Sequence, residues 1–308
     1  MLYFCKGRYL SMPAAITHFL HAKRVFKRIQ KNNRNYKVVW DAFLWGAQGP
    51  DFLYFHRVLP WQEGGRLQEY GSKIHSEKPS KVLTAMREYY DQSGQSEIVR
   101  SYISGFLCHY SLDRTGHPFV RFETDLLLKK EPQQDESILH NEIESALDVI
   151  LLRYELGLLP VEFSLKKTVP DNRRVQMHIA ELYAFVLKRL YNVAEEDKLL
   201  EQALADCRKT FGLLNDRTTM KRALLEHLEK QNGKRTYSCY IRSISEGDEF
   251  DYANSLHAEW NWPKDDSHVS KESFLELYEK SIAESAECIP AFFKTGDYEK
   301  LTGEIPFF

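Results

Sequence analysis

Apolar residues recur at intervals of three and four along almost the whole chain, and that period is compatible with little other than packed helices. In the first such segment Ile16, Phe19, Leu20, Phe26 and Ile29 share a face, which predicts a helix over residues 14–30. Val82, Leu83, Met86 and Tyr90 mark a second face, and Ile98, Tyr102, Ile103, Phe106, Leu107 and Tyr110 a third. Ile143, Leu147, Ile150, Leu151 and Tyr154 predict a helix over 136–156, and further stripes cover 175–190, 199–211, 218–228 and 274–282. Breaks are expected at Gly49-Pro50, Gly64-Gly65, Gly116 to Pro118, Leu159-Pro160 and Gly233, where glycine and proline punctuate the pattern. Only "TYSCYIRSI" (236–244) has strand character, and it has no second strand to pair with. The expected fold is all-α, a multi-helix domain.

At 308 residues one large helical domain over 13–308 is expected, with 1–12 as an N-terminal extension. Residues 156–171 carry apolar side chains throughout, so they read as packed onto the rest as readily as a linker. Forty-two Lys and Arg against 44 Asp and Glu leave a net charge of −2, which provides no basic footprint for a stable nucleic-acid complex. Cys5, Cys108, Cys207, Cys239 and Cys288 are odd in number and form no CxxC pair, which argues against a disulfide framework and a thiolate zinc site. No apolar run approaches a membrane span. The opening "MLYFCKGRYLSMPAAITHF" is a poor secretory leader, because its apolar stretch is short and interrupted by Lys6 and Arg8. A cytoplasmic location is therefore expected, with export by an unrecognised route as the alternative. Met12, followed by Pro13, offers a second start site.

The stretch "GFLCHYSLDRTGHPFV" (105–120) concentrates polar chemistry on an otherwise amphipathic helix. His109 and Asp113 are four residues apart, so an imidazole and a carboxylate share one face and can converge on a cation. Gly116 and Pro118 predict that the helix ends there, which puts His117 at a helix end, aimed at a second ion. His140 and Glu144 in "HNEIE" repeat the four-residue spacing. Asp51 follows a Gly-Pro turn, His75 precedes the helix begun by Pro79, and His18 lies on the first helix. A lone histidine on such a face is ordinarily a core residue with one hydrogen bond, and a lone pair at this spacing ordinarily a helix-supporting contact. Two pairs plus a further histidine within residues 109–144 are harder to explain that way. No His-Asp dipeptide, HExxH or Glu-x-x-His occurs, which removes three common metal architectures. Imidazole and carboxylate without thiolate suit a catalytic zinc site.

These residues resemble the zinc-dependent phospholipase C and P1/S1 nuclease superfamily, in a bacterial phospholipase C-like branch. The resemblance rests on "MPAAITHFLHA", "FLWGAQGPDFLYFHR", "KIHSEKP", "YISGFLCHYSLDRTGHPFV" and "HNEIESALDVILL", in that order through the first half of the chain, with "YANSLHAEWNWP" in the second. It implies an all-α fold with three zinc ions in a cleft between helices. By position, Asp51, His75, His109 and Asp113 would hold one ion; His117, His140 and Glu144 a second; His18 a third, with Asp113 bridging. In processed relatives the third ion is completed by the mature N-terminus. A chain starting at Met12 and losing it would place the amine of Pro13 five residues ahead of His18 as that ligand.

The implied activity is phospholipase C-like hydrolysis, with zinc-bound hydroxide attacking phosphorus and Asp51 orienting or deprotonating the nucleophile. A P1/S1-like nuclease or another phosphodiesterase is the alternative; a nuclease needs an aromatic pocket for base stacking. Trp40, Trp45, Phe52, Tyr54, Phe55 and Phe119 lie near the candidate ligands in sequence, although most such residues are core. A third reading is a non-catalytic protein in which zinc staples the helices together. The expected partners are a phospholipid or other phosphodiester substrate and, transiently, a membrane surface. Smaller expectations attach to His56 as a phosphate contact or surface residue, to His21 as a core or ligand-supporting histidine, and to Asn254, His257 and Trp260 as a loop packed on the helices or rimming the cleft.

Overall fold

A computed structural model describes residues 14–59, 62, 65–244, 250–263 and 265–307. Eleven α-helices are seen among them: α1 (Ala15–Asn32), α2 (Trp40–Ala47), α3 (Gln68–Ser76), α4 (Pro79–Gln92), α5 (Glu97–Lys130), α6 (Glu136–Leu156), α7 (Arg173–Tyr191), α8 (Asp197–Leu214), α9 (Met220–Asn232), α10 (Phe274–Lys294) and α11 (Tyr298–Thr302). The all-α class read from the periodicity is the class observed, and α6 spans the range that its stripe predicted. Local sequence sets several ends. Ser273 and Glu276 form a reciprocal capping box at the start of α10, and the Asn172 side chain accepts from the Val175 amide at the start of α7. Gly157, in the left-handed conformation, closes α6.

The long α5 is the central beam, packed by α2, α6 and α10. Its crossing with α2 depends on two glycines: a Cβ on Gly46 would lie 2.1 Å from the Tyr102 carbonyl oxygen, and one on Gly105 would lie 2.1 Å from that of Phe43. Helix α5 does not end at Gly116 or Pro118 but continues to Lys130. Pro118 removes the amide that would bond the Arg114 carbonyl, a cost of about 3 kcal/mol in a helix interior. Burial of a large apolar side chain contributes roughly 1.5–3 kcal/mol, and Leu112, Phe119 and Val120 on the flanking turns are all buried. Tertiary packing outweighs the local breaker, so His117 is a mid-helix residue.

A continuous apolar cluster extends from α1 through Trp45, Tyr102, Phe106, Tyr183 and Tyr278 to Phe307 near the C-terminus. Residues 156–171 join it through Phe163, Leu165 and Val169. The strand reading of 236–244 is incorrect: Ser238–Tyr240 is a 3-10 turn. Its backbone is satisfied by side chains instead of a ladder, with the Glu229 carboxylate accepting from the Tyr237 and Ser238 amides and Arg222 donating to the carbonyls of Ser238 and Ile241. The sheet lies elsewhere, where β1 (Trp260–Trp262) pairs antiparallel with β2 (Asp265–Ser270) through Trp260–Ser270 and Asn261–Val269.

Candidate metal centre

Five elements converge on one cleft of about 980 Å³: α1, the 3-10 turn Gly49–Phe55, the last turn of α3, α5 and α6. Helix periodicity accounts for most of the convergence. On α5, His109, Asp113, His117 and Arg121 follow at four-residue intervals, so they form one ladder along a face. On α6, His140, Glu144 and Asp148 do the same.

The inner part of the site is built around Asp113. Its Oδ1 is 3.2 Å from His18 Nε2, and its Oδ2 is 3.0 Å from His109 Nε2 and 3.7 Å from His75 Nε2. Asp51 Oδ1 is 3.2 Å from His75 Nε2, and the Nε2 atoms of His75 and His109 are 3.3 Å apart. All five side chains are buried. Toward the mouth, His117 and His140 stack with ring centroids 5.7 Å apart, and their Nε2 atoms lie 3.5 and 3.4 Å from Glu144 Oε1. Asp113 Oδ1 links the two parts, 3.7 Å from His117 Nδ1. Three overlapping groups bring ligand atoms within 4.8 Å of one another: His18, Asp51 and His109; His75, His109 and Asp113; His117, His140 and Glu144. Pro13 lies outside the described residues.

The electrostatics follow from packing imidazoles against carboxylates. Burial alone would raise the pKa of Asp113, but His109, His117 and His18 outweigh it and hold the group well below the usual carboxylate range. Glu144 is likewise brought to about 2, with burial opposed by His140 and His117. Burial opposes protonation of His117, yet Asp113 and Glu144 carry it up to about 9. His109 moves down, because for it burial dominates. Asp113 and Glu144 are therefore ionised, and a proton on His117 between them takes the role that a cation would fill.

The donor set fits a divalent transition metal. His18 Nδ1, Asp51 Oδ2, His109 Nδ1 and Glu144 Oε2 are buried without a hydrogen-bond partner, a costly condition for a protein that holds nothing there. His75 Nδ1 donates to the Gly71 carbonyl oxygen at 2.7 Å, so the lone pair of the neutral ring lies on Nε2, facing the cluster. Gly49, at φ 55°, lets the backbone approach the His109 ring, where a Cβ would sit 2.3 Å from Cδ2. Tyr102 Oη donates to the Gly49 carbonyl at 2.9 Å and fixes the turn that presents Asp51.

Several supporting residues escaped sequence reading. Asp148 is fully buried: its Oδ1 accepts from the Thr17 amide at 2.7 Å and from the Thr17 hydroxyl at 2.9 Å, while its Oδ2 pairs with Arg242. It thereby ties the N-terminus of α1, and so His18, to the helix that carries Glu144. The continued four-residue spacing after His140 and Glu144 was a usable signal for it, as was the 109–113–117 spacing for Arg121. Phe307, near the C-terminus, packs its ring 5.4 Å from that of His75 and 6.2 Å from that of His109, and no local pattern announces that contact.

Other residues singled out by type resolve differently. Tyr54 lines the cleft, but Trp45, Phe52, Phe55 and Phe119 are core and Trp40 stacks on Phe43. His56 is neither a surface residue nor a cleft contact: it is buried, with Nδ1 3.5 Å from the Leu67 amide and its carbonyl accepting from Gln68 Nε2 at 3.0 Å. His21 is a core histidine bonded to Ser281 Oγ at 2.9 Å. Trp260 is buried against Phe119, Asn254 holds the 254–258 turn, His257 is exposed, and Pro263 reaches the cleft rim. Cys108, Cys207, Cys239 and Cys288 are buried free thiols.

The sequence model of the zinc dependent phospholipase C family matches residues 17–198, more than half of the chain. No curated protein and no solved structure matches it significantly. The matched span contains all eight clustered side chains and the helices that present them, and the chain belongs to the zinc dependent phospholipase C family.

Proposed function

We propose that the protein hydrolyses phosphodiesters of the phospholipase C type, cleaving a phospholipid between the glycerol oxygen and phosphorus. The observation that carries this reading is the buried carboxylate and imidazole atoms without partners, on Asp51, Glu144 and His18, three residues that line one cleft in a chain of a zinc-dependent family. Asp51, His75, His109 and Asp113 would hold one ion, His117, His140 and Glu144 another, and His18 with Asp113 a third. When bound, such ions supply Lewis acidity and bring the pKa of water toward neutrality.

The chain's own groups do the rest. Asp51 reaches the cleft from a rigid turn, and its carboxylate is the base that orients the attacking water and takes its proton. His75 is held in one tautomer by Gly71, which keeps its inward nitrogen available. Among the described residues lining the cleft, Arg121 is the one Lys or Arg, and its guanidinium suits a non-bridging phosphate oxygen. Tyr54 is the one Phe, Tyr or Trp among those lining residues, and its ring is stacked on His75. A platform for base stacking is thus slight, which favours a phospholipid over a nucleotide.

The reading is tested by following release of diacylglycerol from phospholipid, and turnover of a soluble phosphodiester, by wild type and Asp51→Ala. The expected result is zinc-restorable turnover that falls by roughly a thousand-fold in the variant. Full turnover after exhaustive chelation, or none on any phosphodiester, would overturn it.

A further inference from the structure

Helix α9 is built inside out. Its polar side chains Arg222 and Glu229 turn inward: Arg222 bonds the carbonyls of Ser238 and Ile241 and pairs with the partly exposed Glu226, and Glu229 accepts from Tyr237 and Ser238. On the opposite face Met220, Leu224 and Leu228, spaced by four, are 72%, 60% and 48% exposed. Leu213 extends the stripe from the end of α8; it is also exposed, and its carbonyl accepts from Lys221 Nζ. A solvated helix that presents its apolar stripe outward while hydrogen bonds hold its inner face is, among the described residues, an unpartnered surface.

We propose that this face of α9 docks the protein on a phospholipid bilayer, an inference that rests on the phospholipase reading for its purpose. The charges fit that occupant. Of the two acidic residues of the helix, Glu229 is buried and Glu226, partly exposed, is neutralised by its pair with Arg222, whereas Lys221, His227 and Lys230 are exposed. Apolar side chains bordered by lysines are the pattern of an interfacial helix on anionic lipid. A second copy of the chain fits less well, because a stable interface takes about 800 Å² from each partner and four side chains supply less. The position also fits. The segment after α9 is tied to the cleft: Arg235 donates from its amide to Gln134 and pairs with Glu131 and Glu142, and Lys234 lies 3.8 Å from Asp135, a cleft-lining residue. Helix α9 lies beyond the stretch that matches the family model.

The experiment compares the full chain with Leu224→Glu/Leu228→Glu, and separately with Lys230→Glu, in two assays. Cosedimentation uses phosphatidylcholine vesicles with and without phosphatidylglycerol, and turnover is read on vesicle lipid and on a soluble short-chain phosphodiester. The expected result is at least a ten-fold loss of vesicle binding and of vesicle-lipid turnover in the double variant, with soluble turnover unchanged. Lys230→Glu is expected to weaken only binding to the anionic vesicles. Equal vesicle binding by wild type and double variant overturns the proposal, as does a wild-type dimer that the double variant renders monomeric. Loss of binding in the variant, with no turnover by either protein on either substrate, leaves the docking face standing and removes the phospholipase reading instead.

Discussion

The two parts of the cleft gather the same residue types in different ways. The inner group draws on α1, the Gly49–Phe55 turn, α3 and α5, and every member is buried. The outer group comes from α5 and α6 alone, and His117 and His140 are only half-buried. Four separate elements can present buried polar atoms together only if each is fixed by its own packing. Two adjacent helices need only their shared face. The inner group is thus a product of the tertiary fold, the outer one of helix periodicity, and Asp113 belongs to both.

That contrast makes Asp113 the place to break the site. Asp113→Ala is expected to lower phosphodiester turnover by roughly a thousand-fold or more and to reduce bound zinc in both groups, as read by steady-state kinetics and metal analysis. His140→Ala is a smaller lesion, expected to cost about a hundred-fold in turnover while the inner group keeps its metal. Equal metal loss in the two variants would dissolve the distinction between the groups.

A change behind the ligands sharpens it. Asp148→Asn leaves every ligand in place but weakens the hold on the first turn of α1, and it is expected to weaken zinc binding roughly ten-fold, as supporting residues of metal sites do. Because the lesion reaches His18 and not His140, competition titration with a chelator should show one class of ion weakened and the rest unchanged.

The smallest effect concerns a carboxylate on the same helix whose shift comes from burial and a second carboxylate, not from imidazoles. Burial and the nearby Asp251 push Glu123 up to about 7, opposite in direction to Asp113. A raised acid pKa in the folded state means stability lost as pH rises from the ordinary value of 4.5 through 7. Glu123→Gln should therefore melt like wild type at pH 4 and be more stable by about 1–2 kcal/mol at pH 8.

The contrast also explains what could be read from sequence. The outer pair, His140 and Glu144, and the pair His109 and Asp113 were legible because four-residue spacing is a local property of a helix. The extent of α5 was misread, because Gly116 and Pro118 are strong local signals and the packing of Leu112, Phe119 and Val120 that overrides them is not local. Bringing His18, Asp51 and His75 to the same place required the resemblance to a family, since nothing in their spacing implies it. Asp148 was concealed as an ordinary acidic residue of α6, and Phe307 lies too far along the chain for any pattern to link it to His75. The hairpin of β1 and β2 was missed because a three-residue strand leaves too short an alternation to detect.

Eight side chains from five elements are gathered where they could hold divalent cations. Anomalous diffraction at the zinc edge, on crystals of the zinc-loaded protein, addresses it without relying on any assay. Separate peaks are expected among His75, His109 and Asp113 and among His117, His140 and Glu144. Zinc bound only at other surface sites, with no anomalous density inside the cleft, would contradict it.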